Sequence, residues 1–242
     1  MREETIGGLK VRLVGGTDRE GGGDGPMLLL MHGFGAPGTD LVPLWRQLVV
    51  PRETRFAFPE APTELDAYGP GMDSRAWWMI DMERLERAQR SGEIRDLSRE
   101  VPEGLAEANV QLNAMLDDLE ARFGVRADQL VIGGFSQGAM LACDVLLRGQ
   151  RRFAGLAVLS GSLVAEHEWG PLIEKCRGLP VLISHGKSDP ILPFALAERL
   201  RDLFVAAGAE VQFVPFNGGH GIADGVIDAL GALVTRATAR SA

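Results

Sequence analysis

Along this chain the hydrophobic positions switch repeatedly between short unbroken runs and helical spacing. Short apolar runs bounded by turn formers read as buried strands, and longer stretches with apolar residues three and four apart read as helices. The pattern predicts strands at residues 9–14, 27–31, 55–58, 129–133, 155–160, 180–184 and 210–215. It predicts helices from Thr39 or Asp40, either of which can cap, to about Val50, then around 80–91 and at 102–123, 137–147, 194–207 and 222–237. In the 102–123 helix, Leu105, Val110, Leu112, Met115, Leu116 and Leu119 fall mostly on one face.

Strands alternating with helices imply an α/β fold with a mostly parallel sheet. Residues 60 to about 98 break the rhythm, with Pro, Gly, adjacent tryptophans and then a charged stretch from Asp81 to Arg99. We read this segment as an excursion beyond the sheet edge. No internal repeat, linker or low-complexity tract divides the chain, so residues 1–242 are expected to form one domain.

Composition narrows the partners. The chain is 45% hydrophobic and 24% charged, with a net charge of −8, so it carries no basic footprint for nucleic acid or anionic membrane. No apolar run approaches the roughly 20 residues of a membrane span, and Met1-Arg2-Glu3-Glu4 opens no secretory signal. Two cysteines, Cys143 in a helix and Cys176 before a strand, lack the spacing of a zinc site and read as reduced thiols of a cytoplasmic protein. A homodimer would need an exposed apolar patch, which the sequence alone does not place.

The chemistry centres on Gly134-Phe135-Ser136-Gln137-Gly138, between an apolar strand and a helix. Gly-x-Ser-x-Gly in that context is a tight turn that exposes a serine oxygen, with the positive end of the following helix beneath it. Ser136 is therefore the candidate nucleophile. A serine needs a base to take its proton and an acid to orient that base. In an open α/β sheet these gather at the carboxyl ends of strands. Asp189 follows one strand end and His220 the next, and the order Ser136, Asp189, His220 is that of α/β-hydrolases. His32 and His185 precede glycines at strand ends and read as structural, bonding loop backbone, while His167, between Glu166 and Glu168, reads as solvated. An oxyanion would be met by the backbone N–H of Gln137 and by one from His32-Gly33-Phe34-Gly35, best placed at Phe34.

Together these pieces resemble the phospholipase/carboxylesterase family of α/β-hydrolases, which includes the acyl-protein thioesterases. The matching runs are Met31-His32-Gly33-Phe34-Gly35, Phe58-Pro59-Glu60-Ala61-Pro62, Ala76-Trp77-Trp78, Gly134 to Met140, His185-Gly186-Lys187-Ser188-Asp189-Pro190-Ile191-Leu192-Pro193 and Gly219-His220-Gly221-Ile222. The resemblance implies an α/β-hydrolase fold and hydrolysis of carboxylic esters, sometimes thioesters, with no cofactor and no metal. It implies Ser136, Asp189 and His220 as nucleophile, acid and base. Trp77, Trp78, Ile191, Leu192 and Ile222 lie in loops near the predicted site and are candidate pocket residues, although the tryptophans would equally serve to pack the excursion. We expect a serine carboxylesterase for short- to medium-chain esters. The alternative is an acyl-protein thioesterase or lysophospholipase. No basic cluster suited to the phosphates of coenzyme A stands out. The charged segment from Glu83 to Arg99 exceeds what compact thioesterases need and is expected to reshape the pocket entrance.

Overall fold

The structure is a computed structural model that describes residues 1–65, 73–91 and 96–239. Eleven strands are present among them: β1 Arg2–Ile6, β2 Leu9–Gly16, β3 Glu20–Gly22, β4 Met27–Met31, β5 Arg55–Pro59, β6 Thr63–Glu64, β7 Arg75–Ala76, β8 Leu130–Phe135, β9 Gly155–Leu159, β10 Pro180–Gly186 and β11 Glu210–Phe216. The helices are α1 Met82–Ser91, α2 Leu105–Phe123, α3 Gln137–Arg148, the single turn α4 Glu166–Trp169, α5 Phe194–Ala206 and α6 Asp224–Ala239. The central sheet runs β1-β2-β5-β4-β8-β9-β10-β11, with β3 beside β2. From β5 to β11 every pairing is parallel, and β1 and β2 close one edge antiparallel.

Alternation along the central strands fills a core on each face. Met27, Leu29 and Met31 of β4 join one core with α2, α3 and α5, while Leu28 and Leu30 join the other with α6. A strand buried on both sides must be apolar throughout, which is why the run at 27–31 contains no polar residue. From Gln137 to Leu147, α3 is buried on all sides, sandwiched between the sheet and α2.

Several sequence expectations are corrected. The helix expected to run to about Val50 is only a 3-10 turn, Val42–Arg46. Pro43 lies in its first turn, neither Thr39 nor Asp40 caps it, and Val50 precedes Pro51, which disfavours helical backbone. Val110 is 69% exposed and does not belong to the buried face of α2. The strand β1 and the β6–β7 hairpin escaped prediction because they are short or largely polar. Residues 66–72 and 92–95 of the excursion lie outside the described residues.

Candidate active site

The topology decides where a site can form. β4 lies between β5 and β8, so the chain leaves its neighbourhood toward opposite edges of the sheet. The carboxyl ends of β4 and β8 flank that switch point, where open sheets bind ligands. One end carries His32 to Gly35 and the other carries Ser136.

Ser136 has φ 54° and ψ −117°, a conformation that L-residues seldom adopt. Its neighbours explain how the turn closes. A Cβ on Gly134 would lie 2.4 Å from the carbonyl carbon of Gly138, and a Cβ on Gly138 would lie 2.2 Å from the Met31 carbonyl oxygen. Only glycine lets these backbones meet. The Ser136 N–H donates to the Leu159 carbonyl at 2.9 Å, and the Ser136 carbonyl accepts from the N–H groups of Ala139 and Met140, starting α3.

Asp189 and His220 come together as expected. His220 Nδ1 stands 2.7 Å from Asp189 Oδ2, and the N–H groups of Ile191 and Leu192 donate to Asp189 Oδ1 at 2.8 and 2.9 Å. The Asp189 side chain is fully buried. Burial by itself would raise its pKa, but contacts from His185 and His220 and the Leu192 amide outweigh it and hold the carboxyl well below its ordinary range.

His220 follows β11 and must reach back across β10 and β9 to approach Ser136. The approach is built from close backbone contacts. Ser160 Oγ, at the end of β9, donates to the Gly221 carbonyl at 2.8 Å. Gly186 lets the loop lie close, since a Cβ there would be 2.1 Å from the Gly219 oxygen. The His220 ring rests 4.9 Å from the Phe135 ring, centroid to centroid, and Ser136 and His220 line one cavity. No hydrogen bond joins their side chains among the described residues. Such bonds often tighten only when substrate arrives.

Among the described residues, neither the Phe34 nor the Gln137 backbone N–H has a protein acceptor. Gly33 brings the Phe34 loop against the elbow, because a Cβ there would lie 3.3 Å from Ser136 Cβ. The loop is held from outside. The Gly35 N–H donates to the Arg75 carbonyl at 2.8 Å, and Ser74 Oγ donates to the Gly35 carbonyl at 2.7 Å. Arg75 in turn joins Arg12 and Lys10 around the buried Glu60. Burial opposes the Glu60 charge, yet Arg12 and Lys10 still keep its pKa below the usual value.

The remaining histidines divide as the sequence implied. His32 Nδ1 lies 2.8 Å from the Gly33 carbonyl, and its Nε2 accepts from the Ala61 N–H at 3.0 Å. Burial lowers the His32 pKa, more than the Gly33 carbonyl raises it. His167 is exposed beside Glu168. His185 contacts the Leu192 carbonyl and also Asp189.

The cavity at Ser136 has a volume of about 580 Å³. Phe34, Trp78, Met140, Val164, Ile191 and Leu192 form its apolar walls, and α1 adds Met82 and Leu85 on the outer side. The excursion thus builds part of the pocket. Two of the candidate pocket residues are elsewhere. Trp77 is buried behind the wall with its Nε1 donating to the His32 carbonyl at 3.0 Å, and Ile222 packs against the core on the α6 face. Sequence reasoning also missed the Gln137 side chain. Its Oε1 accepts from the Trp77 N–H at 2.9 Å and its Nε2 donates to the Trp78 carbonyl at 2.8 Å, so it pins the tryptophan segment to the elbow. Among the described residues, the only lysine or arginine on this cavity is Arg84, which Glu100 engages with both carboxylate oxygens. Arg151, Arg152, Lys175 and Arg177 do gather, but around a separate cavity where β9 and β10 begin.

A serine on a strained strand-to-helix elbow, in a cavity with a carboxylate-bound histidine, places the molecule in the class of α/β-hydrolases. The chain belongs to the phospholipase/carboxylesterase family, which matches residues 22–231. It is a hydrolase of carboxylic esters. It is 28% identical over 211 residues to acyl-protein thioesterase 1 of Neurospora crassa, covering 84% of this chain and 83% of that protein. Acyl-protein thioesterase 1 of Schizosaccharomyces pombe is 26% identical over 174 residues, covering 70% and 71%. The crystal structure of esterase PE8 superposes with a TM-score of 0.77 at 27% identity, covering 94% of this chain and 98% of that one.

Proposed function

We propose that the protein hydrolyses thioesters and esters of apolar acyl chains through an acyl-enzyme on Ser136. The Asp189–His220 pair at 2.7 Å, with His220 lining the cavity that holds Ser136, is the observation that carries this reading. His220 takes the Ser136 proton as the oxygen attacks the acyl carbonyl, and Asp189 orients the ring. The Phe34 and Gln137 N–H groups receive the oxyanion. His220 then protonates the leaving thiol or alcohol, and water releases the acid by the same route. The apolar walls receive the acyl chain.

The sequence put short- to medium-chain oxygen esters first. The names of the relatives support the thioesterase alternative better, and we adopt it, with oxygen-ester hydrolysis as the second reading favoured by the likeness to esterase PE8. A polyphosphate leaving group is disfavoured, because Asp81 and Glu103 share the cavity lining and Arg84 there is already paired with Glu100. A cytoplasmic setting fits two free, buried cysteines, and no described helix is long and apolar enough to cross a membrane. The test is a matched panel of acyl thioesters and p-nitrophenyl esters from two to sixteen carbons. A higher kcat/KM for thioesters at matched chain length supports the proposal. A uniform preference for oxygen esters restores the second reading.

A further inference from the structure

His185 carries a cost that packing does not explain: it lies near the end of the wholly buried strand β10 with its side chain shielded from water, and its Nδ1 meets no partner among the described residues. A buried polar atom left without a partner is costly, so the ring must return something through its other nitrogen. That nitrogen, Nε2, stands 2.9 Å from the Leu192 carbonyl and 3.2 Å from Asp189 Oδ2. Both are acceptors, so Nε2 carries the proton. Asp189 Oδ2 therefore faces two imidazoles, His185 from within the sheet and His220 from the loop after β11. Its other oxygen is occupied by the amides of Ile191 and Leu192. No lysine, arginine or second carboxylate pairs with Asp189 among the described residues. The Phe194 ring, 6.2 Å away between centroids, is the aromatic neighbour of His185.

We propose that His185 is a positioning residue for the reaction: its Nε2–H anchors Asp189 Oδ2 and divides that oxygen's charge between two imidazoles. The inference rests on the assignment of Asp189 and His220 made above. Two consequences follow from sharing one acceptor. The anchor fixes the direction in which Oδ2 meets His220, and a second donor weakens Oδ2 as an acceptor for the Nδ1–H of His220.

The test compares His185→Phe, which keeps a ring and loses the donor, with His185→Gln, whose amide can still reach Oδ2. Each is assayed for kcat/KM against pH on a p-nitrophenyl ester, alongside its Tm. The account expects the acid limb of His185→Phe to move upward by about half a pH unit or more, with a several-fold fall in kcat. In His185→Gln the limb returns toward that of the natural protein. If His185→Phe does not fold, His185→Asn replaces it, since the shorter amide stops short of Oδ2. An acid limb unmoved in the donor-less variant, with Tm preserved, overturns the proposal. Ser136→Ala run in parallel distinguishes a failure of the His185 role from a failure of the site assignment. If Ser136→Ala is inactive and the limb does not move, only the role of His185 fails. If Ser136→Ala keeps full activity, the underlying site assignment fails.

Discussion

Replacing Gln137 with alanine should unfasten the pocket wall while leaving the backbone N–H of the elbow in place. The side chain makes two buried hydrogen bonds, to the Trp77 N–H at 2.9 Å and to the Trp78 carbonyl at 2.8 Å. All three residues are buried, with exposures of 3%, 5% and 3% for Trp77, Trp78 and Gln137. Each orphaned group costs about 1–3 kcal/mol, so the variant should lose about 2–6 kcal/mol. For a domain of this size Tm moves by ~2–4 °C per kcal/mol, which sets the expected fall at about 4 °C or more. Gln137→Glu sharpens the test. One carboxylate oxygen can still accept from Trp77, but the other would face the Trp78 carbonyl. Its loss should therefore be greatest when the carboxylate is ionised and should shrink as the pH is lowered and the group can donate. Differential scanning calorimetry at two pH values reads both effects, and a chain-length series should show KM rising more than kcat falls, because Trp78 lines the cavity. A Tm for Gln137→Ala within about 1 °C of the parent would refute the reasoning.

Four other outcomes are expected. Gly138→Ala places a Cβ 2.2 Å from the Met31 carbonyl oxygen, on a neighbouring strand that cannot yield, so urea unfolding should show a loss of ~3 kcal/mol or more. Ser136→Gly should be more stable than Ser136→Ala by about 1 kcal/mol, because only the former relaxes the turn at φ 54°; equal urea midpoints would argue against strain there. His32 is held below its ordinary pKa of 6.5 by burial. As pH falls through that value the unfolded chain gains a proton that the folded chain refuses, so stability is full above it and declines below it. Denaturant midpoints from pH 8 to pH 5 should show the decline, and His32→Gln should lessen it. Met140→Trp fills the cavity floor near Ser136 and should shift the acyl-length optimum toward shorter chains; an unchanged optimum would place the chain elsewhere.

Much of the fold was legible because the central strands are buried on both faces and so must be written as unbroken apolar runs, as in Met27 to Met31. The elbow was legible for a different reason: the spacing of Gly134 and Gly138 records two backbone approaches closer than any side chain permits. What stayed hidden depends on contacts between distant positions. Nothing local marks Ser160 as the residue that holds the Gly221 carbonyl 61 positions away, or Gln137 as a tether for Trp77, 60 positions earlier. Trp77 and Trp78 are adjacent, yet one is a buried strut and the other a cavity wall, a distinction made only by the direction each side chain takes. The expected helix ending near Val50 failed where apolar spacing was given more weight than Pro43 and Pro51.

The central claim is that Ser136 becomes acylated, and the most direct measurement is covalent labelling with a fluorophosphonate, located by peptide mass. The account predicts one adduct, on the peptide that contains Ser136, with thioester and ester hydrolysis lost in step with labelling and both absent from Ser136→Ala. Hydrolysis persisting in a folded Ser136→Ala variant, or an adduct on another residue, would contradict it.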